Sequence, residues 1–294
     1  MRYTRRQFGG VVAGGLVLAG RLNGSTAQAS RIAGVRVGTQ SYSFRDRGLD
    51  EALAAMKQLG LSYCELWSGH VETSKTIVTP EGGNRREATR KWRLGQSAAV
   101  ARDIRKRFDD AGVKITSYDV PFRADFTDEE IVSTFEMGKA FGVDVLTSST
   151  QVSLAPRLEP FAAKAGMKVG FHNHANIRPD EVATPDDLAA ILKSGPHCAV
   201  TLDIGHFTAA KFDALAFLDE HHDRIVSMHL KDRKRTGETL PFGEGDAPIA
   251  AVLTRLRDRK WDIPAHIEYE YRGKGTMEEM TDLLAFCRQT LEKR

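Results

Sequence analysis

The 294-residue sequence is poor in cysteine and proline, and it has no apolar run of the roughly 20 residues that a membrane-spanning helix requires. Three cysteines and ten prolines exclude a disulfide-built scaffold and a collagen-like chain. With 41% hydrophobic and 28% charged residues, the chain is too polar for a multi-span membrane protein and too apolar for a disordered one. Residues 1–29 hold four of the 42 basic residues and no acidic one, which leaves 38 basic and 39 acidic residues. We therefore expect a globular domain without a nucleic-acid partner.

The first 29 residues have the pattern of an export signal. The pair Arg5-Arg6 is followed after one residue by a phenylalanine, then by an apolar run at residues 9–20 and a small-x-small ending at Ala29. This pattern is typical of a twin-arginine signal, which the export machinery for folded proteins reads. We predict a periplasmic or otherwise exported protein that is cleaved after Ala29. The alternative is a chance arginine pair before an uncleaved anchor. The three cysteines lie inside apolar patterns and are predicted to be buried free thiols: Cys64, Cys198 and Cys287.

From residue 35 onward, short runs with β-strand composition alternate with amphipathic helical patterns. Eight strands are predicted, at residues 35–40, 62–67, 114–119, 145–148, 168–172, 198–203, 225–230 and 265–269. Helices are predicted at residues 49–59, 98–111, 129–141, 158–165, 185–193, 212–220, 249–257 and 277–293. This count and size predict a single-domain (β/α)₈ TIM barrel over residues 30–294.

A doubly wound open sheet is the alternative architecture. Such a sheet usually carries a glycine-rich phosphate-binding turn after its first strand, whereas residues 41–44 of this chain read Ser-Tyr-Ser-Phe. Two long loops, at residues 68–96 and 231–248, follow the second and seventh strands. In a barrel these loops lie at the carboxyl ends of the strands, where active sites form.

Four chemically versatile side chains occupy the ends of the last four predicted strands: His172, Asp203, His229 and Glu268. Inward-facing residues of neighbouring barrel strands converge near the axis, so these side chains are expected to meet. Two imidazoles and two carboxylates form a mixed nitrogen and oxygen donor set for a divalent ion. The sequence therefore predicts a site for one Mn²⁺, Co²⁺, Mg²⁺ or Zn²⁺ ion.

Several segments resemble the xylose isomerase-like TIM barrels, a family of sugar isomerases and epimerases that also includes endonuclease IV. They are Leu-Asp-Ile-Gly-His at 202–206, Met-His-Leu-Lys-Asp at 228–232, Ile-Glu at 267–268 and, more weakly, Glu-Leu-Trp at 65–67. The resemblance implies that His206 lies beside the metal against the substrate. It also implies that Lys231 and Glu65 face the same cavity, where we predict that both contact substrate. Asp203, His229 and Glu268 are implied to be metal ligands, and Mn²⁺ is implied to be the favoured ion.

One position departs from this resemblance. The sugar epimerases carry a glutamate at the end of the fifth strand, where it binds metal and exchanges a proton with the substrate, whereas this chain has His172. We predict that His172 is a metal ligand and that it joins Glu268 and His206 as a candidate catalytic residue. His174 shares a strand face with His172 and is expected to contact substrate. His70 is open between a substrate contact, an extra metal ligand and a loop residue.

The leading functional prediction is a divalent-metal-dependent isomerase or epimerase of a small sugar or keto-sugar. Glu268 would remove the proton next to a metal-held carbonyl, which gives a metal-bound enediolate. The first alternative is a lyase or dehydratase that eliminates a group beta to the carbonyl of a keto-sugar or keto-glycoside; the strand-5 histidine favours it. An endonuclease IV-like phosphodiesterase and a non-catalytic sugar-binding protein are weaker alternatives. The sequence leaves the oligomeric state open, and a homo-oligomer is one of the alternatives.

Overall fold

The computed structural model describes residues 29–293, so the predicted export signal lies outside the described residues except for Ala29. The strands are β1 (Arg31–Ile32), β2 (Val35–Gln40), β3 (Tyr63–Trp67), β4 (Lys114–Asp119), β5 (Val145–Ser148), β6 (Lys168–His172), β7 (Cys198–Asp203), β8 (Ile225–Leu230), β9 (Asp232–Arg233), β10 (Thr239–Leu240) and β11 (Ala265–Ile267). The helices are α1 (Leu49–Leu59), α2 (Arg85–Gly95), α3 (Ser97–Ala111), α4 (Asp128–Phe141), α5 (Ala155–Ala165), α6 (Pro185–Lys193), α7 (Ile204–Ala209), α8 (Ala214–His221), α9 (Ile249–Arg259) and α10 (Thr276–Glu292).

Eight parallel strands close into a barrel. They follow one another around the ring as β2, β3, β4, β5, β6, β7, β8 and β11. Strand β2 pairs in parallel with both β3 and β11, which closes the ring. The predicted single-domain (β/α)₈ barrel is therefore confirmed, and the open-sheet alternative is wrong because the first barrel strand has a neighbour on each side.

The sequence pattern did not predict every element. Helix α2 lies inside the predicted loop 68–96. It was not predicted because its eleven residues contain too few apolar side chains to form a periodic stripe. It begins at Asn84, whose side chain accepts hydrogen bonds from two backbone N–H groups of the first turn. The hairpin of β9 and β10 lies inside the predicted loop 231–248, and each strand is only two residues long. Short helix α7 follows β7 without a linker.

Side-chain alternation separates an apolar layer from a polar barrel interior. In β7, Val200 and Leu202 belong to the apolar core, whereas Thr201 and Asp203 alternate with them and are buried polar residues. The interior is closely packed at Gly170, where a Cβ atom would lie 2.4 Å from Oγ1 of Thr201.

The three cysteines are buried and free, as predicted. Between residues 29 and 293, no helix combines the length and the apolar character that crossing a membrane demands.

Candidate metal centre

The four predicted ligands converge at the carboxyl ends of neighbouring barrel strands. Asp203 and His229 stand opposite each other in the β7–β8 ladder. His172 ends β6, and Glu268 directly follows β11. One ligand atom from each of the four lies within 4.8 Å of all the others. Strand register and alternation therefore bring together the residues that the sequence singled out.

Four buried atoms in this cluster lack a hydrogen-bond partner of good geometry: Nε2 of His172, Oδ2 of Asp203, Nδ1 of His229 and Oε2 of Glu268. The side chains themselves are 8% exposed or less. An unsatisfied buried polar atom costs about 1–3 kcal/mol, so four in one place indicate a missing common partner. Two nitrogen and two oxygen donors fit a divalent cation. These residues would hold such an ion.

Asp203 is positioned by its own loop. Its Oδ1 atom accepts the backbone N–H of His206 at 2.6 Å and thereby caps the start of α7. The Asn173 side chain accepts from the Asp203 backbone N–H at 2.9 Å and donates to its carbonyl at 3.0 Å. One carboxylate oxygen is thus used by the backbone, and the other is directed to the ligand cluster.

Glu65 orients the predicted ligand His229 from the side of its ring that faces away from the cluster. Its Oε1 atom lies 2.6 Å from Nε2 of His229, which leaves Nδ1 to face the cluster. Burial opposes ionisation of Glu65, but the adjacent His229 ring lowers its pKa to about 2. A carboxylate that accepts the distal N–H of a ligand histidine fixes its tautomer and raises its basicity. The sequence placed Glu65 in the cavity as a substrate contact, and the structure gives it this additional contact.

Lys231 enters the cavity with its charge already paired. The buried Nζ atom lies 3.1 Å from Oδ2 of Asp203, 2.9 Å from Oε2 of Glu268 and 2.6 Å from Oε2 of Glu270. Burial opposes ionisation of the two predicted ligands, but Lys231 lowers the pKa of both Asp203 and Glu268. Both carboxylates are therefore ionised at neutral pH, which is the form that binds metal.

His206 and His174 line the same cavity as the cluster. Nζ of Lys231 and Nη1 of Arg233 lie 3.2 and 2.6 Å from the two ring nitrogens of His206. Burial, together with the Lys231 charge, lowers the pKa of His206 well below its usual value, despite the nearby Asp203. The His206 ring is therefore neutral at neutral pH. The other histidine, His174, contacts Oε1 of Glu181 through its Nδ1 atom at 2.6 Å.

His70, left open between a substrate contact, an extra metal ligand and a loop residue, contacts the loop that follows β2. His70 does not line the cavity that contains the cluster. Its ring is buried, 3.1 Å from Oγ of Ser41 and 3.3 Å from the carbonyl of Phe44. Burial lowers the pKa of His70. The ring ties the second barrel loop to the first, and its two nitrogens are used by these contacts.

The cavity around the cluster has a volume of about 170 Å³ and includes residues that the sequence patterns missed. Asp119 ends β4 as Asp203 ends β7, so strand position was the signal that could have found it. The other unpredicted lining residues are Gln40, Tyr42, Trp67, Thr147, Ser149 and Glu270. Tyr42 and Trp67 pack edge to face, with ring centres 4.9 Å apart. The cavity therefore combines a metal-type cluster, carboxylates and an aromatic wall.

Comparison with known protein families agrees with this geometry. The model of the xylose isomerase-like TIM barrel matches residues 53–290. The chain belongs to this family. The resemblance carried by the strand-end motifs is thereby confirmed, because the match runs from within α1 to within α10 and includes all four cluster residues.

Relatives of this xylose isomerase-like barrel have several activities. An inosose dehydratase of Lactiplantibacillus plantarum is 36% identical over 78 residues, which are 26% of this chain and only a quarter, 25%, of that protein. The structure of 3-keto-D-glucoside 4-epimerase from E. coli has a TM-score of 0.65 at 15% identity, over 87% of this chain and 99% of that one. A probable 3-DHS dehydratase from Bacillus anthracis has a TM-score of 0.64 at 14% identity, over 85% and 98%. The two structural likenesses show a shared fold.

Proposed function

We propose that the protein is a divalent-metal-dependent isomerase or epimerase of an uncharged sugar or keto-sugar. The observation that supports this most directly is the set of four buried donor atoms within 4.8 Å of one another at the carboxyl end of the barrel. They lack a hydrogen bond of good geometry, although Lys231 forms ion pairs with two of them. An ion held there would polarise a substrate carbonyl and acidify the C–H bond beside it. Membership of a family of sugar isomerases and epimerases points to the same chemistry.

Glu268 is the proton acceptor in this proposal. It lines the cavity, and Lys231 at 2.9 Å keeps its carboxylate ionised, as a general base must be. His229 contacts the same oxygen at 3.0 Å. One carboxylate oxygen is thus directed to the cluster, while the side chain borders the space open to substrate.

The charges of the cavity favour an uncharged substrate. Four carboxyl residues line it against one lysine, and that lysine is already held by carboxylates. A phosphate group would find no unpaired cation among these lining residues. The edge-to-face aromatic pair of Tyr42 and Trp67 offers an apolar surface for the C–H groups of a sugar ring. We therefore expect the metal-loaded protein to act on keto-sugars and to reject their phosphates, which a side-by-side rate comparison would test.

Proton exchange tests the proposed activity directly. Metal-loaded protein in D₂O should replace the hydrogen next to the carbonyl of methyl 3-keto-D-glucoside, followed by ¹H NMR. Glu268→Gln should slow exchange by about 10²–10⁴-fold, because the amide cannot accept the proton. Glu220→Gln, an exposed change on α8, is the matched control and should leave the rate unchanged. An active Glu268→Gln enzyme would contradict the assignment.

The identity of the ion is a second part of the proposal. The donor set excludes thiolate, so hard and intermediate ions are favoured over soft ones. We propose Mn²⁺ as the native ion. Metal-stripped protein reloaded in parallel with Mn²⁺, Co²⁺, Mg²⁺ and Zn²⁺ should be most active with Mn²⁺. Higher activity with another of these ions at equal occupancy would refute that choice.

A lyase or dehydratase remains the second candidate, and one residue favours it. His172 stands where the epimerases of the family carry a glutamate, and the matching segment of an inosose dehydratase is 36% identical. The two candidates differ in products. Release of p-nitrophenol from p-nitrophenyl 3-keto-glucoside would indicate elimination, whereas a new sugar epimer without release would indicate the leading proposal.

A further inference from the structure

The proposed reaction lacks a partner for Glu268, because a bound ion and Ser149 would take the two ring nitrogens of His172. Nε2 of His172 is one of the four orphaned cluster atoms, and Nδ1 lies 3.3 Å from Oγ of Ser149. A ring that gives one nitrogen to an ion and the other to a hydroxyl would serve as a ligand. A second acid/base must come from elsewhere in the cavity.

Asp119 lies on a different part of the barrel wall from Glu268. It ends β4, which stands four strands from β8 in the eight-strand ring, three strands from β11 and two strands from β6. Glu268 directly follows β11, so Glu268 and Asp119 line the cavity from strands that are three apart in the ring. A substrate between these walls would have Glu268 and Asp119 on different sides.

Gln40 fixes the Asp119 carboxyl group. The Gln40 Oε1 atom accepts the backbone N–H of Tyr42 at 3.0 Å, which sets the direction of its amide group. Its Nε2 atom then donates to Oδ2 of Asp119 at 3.0 Å and to Oε1 of Glu65 at 3.1 Å. Oδ1 of Asp119 makes no hydrogen bond to other described residues. One oxygen is therefore anchored, and the other is available to a substrate.

We propose that Asp119 is the second acid/base of the reaction and protonates the substrate carbon on the face opposite to Glu268. This inference rests on the proposed function. Burial, with the negative charges of Glu65 and Glu268, raises the pKa of Asp119 to about 8, although His229 and Gln40 act in the other direction. Asp119 thus holds a proton at neutral pH that it can donate.

The proton balance closes with these two residues. Glu268 takes the C–H proton, and the electron pair of that bond moves into a carbon–carbon double bond as the carbonyl oxygen gains negative charge. The double bond then takes the Asp119 proton at the same carbon from the other face. The carbonyl re-forms, and the carbon that was reprotonated now has the inverted configuration. Glu268 is left protonated and Asp119 ionised, and exchange with solvent resets both. Neither an oxidant nor a reductant is required.

Isotope exchange that starts from the substrate and, separately, from its epimer tests whether Glu268 and Asp119 act on opposite faces of the same carbon. In D₂O, Asp119→Asn should lose much less of the labelling of methyl 3-keto-D-glucoside than of epimer formation, because Glu268 can still remove and return the proton on one face. Epimer formation, and labelling when the reaction starts from the epimer, should fall about 10²–10⁴-fold. Asp144→Asn, the same change at the exposed start of the β5 region, should alter neither. Formate should restore epimer formation in Asp119→Ala.

A spectroscopic measurement complements the kinetics. The infrared spectrum of metal-free protein at pH 7 should contain a protonated carboxyl band that Asp119→Asn and Asp119→Ala both lose and Asp144→Asn keeps. The role of Asp119 would be overturned if a folded Asp119→Asn protein labelled the substrate and its epimer with equally reduced rates, or if neither rate fell. An ionised Asp119 at pH 7 would overturn it as well. A wild-type enzyme that exchanges no keto-sugar proton would instead refute the proposed function.

Discussion

Glu65→Gln separates the orientation of His229 from direct metal ligation. The change keeps the size of the fully buried side chain but removes the charge that lies 2.6 Å from Nε2 of His229. The new amide can donate a hydrogen bond to Nε2, which would move the ring proton to Nδ1, the atom that faces the cluster. Loss of such a supporting carboxylate typically weakens metal binding by about 10–100-fold.

The expected effect can be followed through thermal stability. At a metal concentration of about 100 Kd, binding stabilises the folded state by about 2.7 kcal/mol. A 100-fold weaker site at the same metal concentration would contribute only about 0.4 kcal/mol. For a domain of this size, about 2–4 °C of Tm accompany each kcal/mol. The metal-induced rise in Tm should therefore shrink from about 5–10 °C to about 1–2 °C.

The assay compares melting with and without metal, together with direct titration of the ion. Glu130→Gln is the matched control, since Glu130 is another fully buried glutamate but lies on α4 and contacts Arg86 at 2.7 Å. This control should lower Tm with and without metal by similar amounts and leave the metal-induced rise intact. A Glu65→Gln protein with wild-type metal affinity would refute the reasoning.

Three further outcomes are expected. Asp203→Ala should keep the barrel but lose stoichiometric metal, and metal analysis of the purified variant that finds a full complement would show that the ligand is wrong. Gly205→Ala should lower the free energy of unfolding by about 1–3 kcal/mol in urea, because its Cβ would meet a backbone carbonyl oxygen at 2.4 Å. Gly95→Ala, where nothing lies within 4 Å, is its control and should not destabilise. We also propose twin-arginine export: the double change Arg5→Lys and Arg6→Lys should hold the precursor in the cytoplasm, and normal periplasmic delivery would contradict this.

The barrel and its ligand cluster were predictable because both depend on local periodicity. Six of the eight barrel strands have the predicted bounds, since their apolar runs are flanked by turn or capping residues. Alternation within each strand then gave the inward face, so His172, Asp203, His229 and Glu268 could be assigned to one point without knowing any distance. Closing the ring adds only the condition that neighbouring strand ends meet.

The contacts that the sequence could not show are those between distant loops and strands. His70 follows a strand end as the true cavity residues do, but the turn after β2 reaches across and binds its ring. Asp119 has the position of a site residue, yet its significance depends on Gln40, 79 residues away. Likewise, Lys231 was predicted to meet substrate, and only the structure shows three carboxylates around its ammonium group. Such contacts join residues that are far apart in the chain, so they produce no periodic pattern in the sequence.

His172, at the end of β6, relates the predicted metal cluster to the proposed proton chemistry. A carboxylate at that position can bind an ion and still exchange a proton, because it has two equivalent oxygens, whereas the two nitrogens of His172 already face the cluster and Ser149. Proton transfer on that side is therefore left to Glu268 alone. Under the proposal for Asp119, the second proton comes from a carboxyl group on β4 that Gln40 holds and that is not one of the predicted ligands. Metal binding and the second proton transfer would then depend on different residues, so a single substitution could remove one and leave the other.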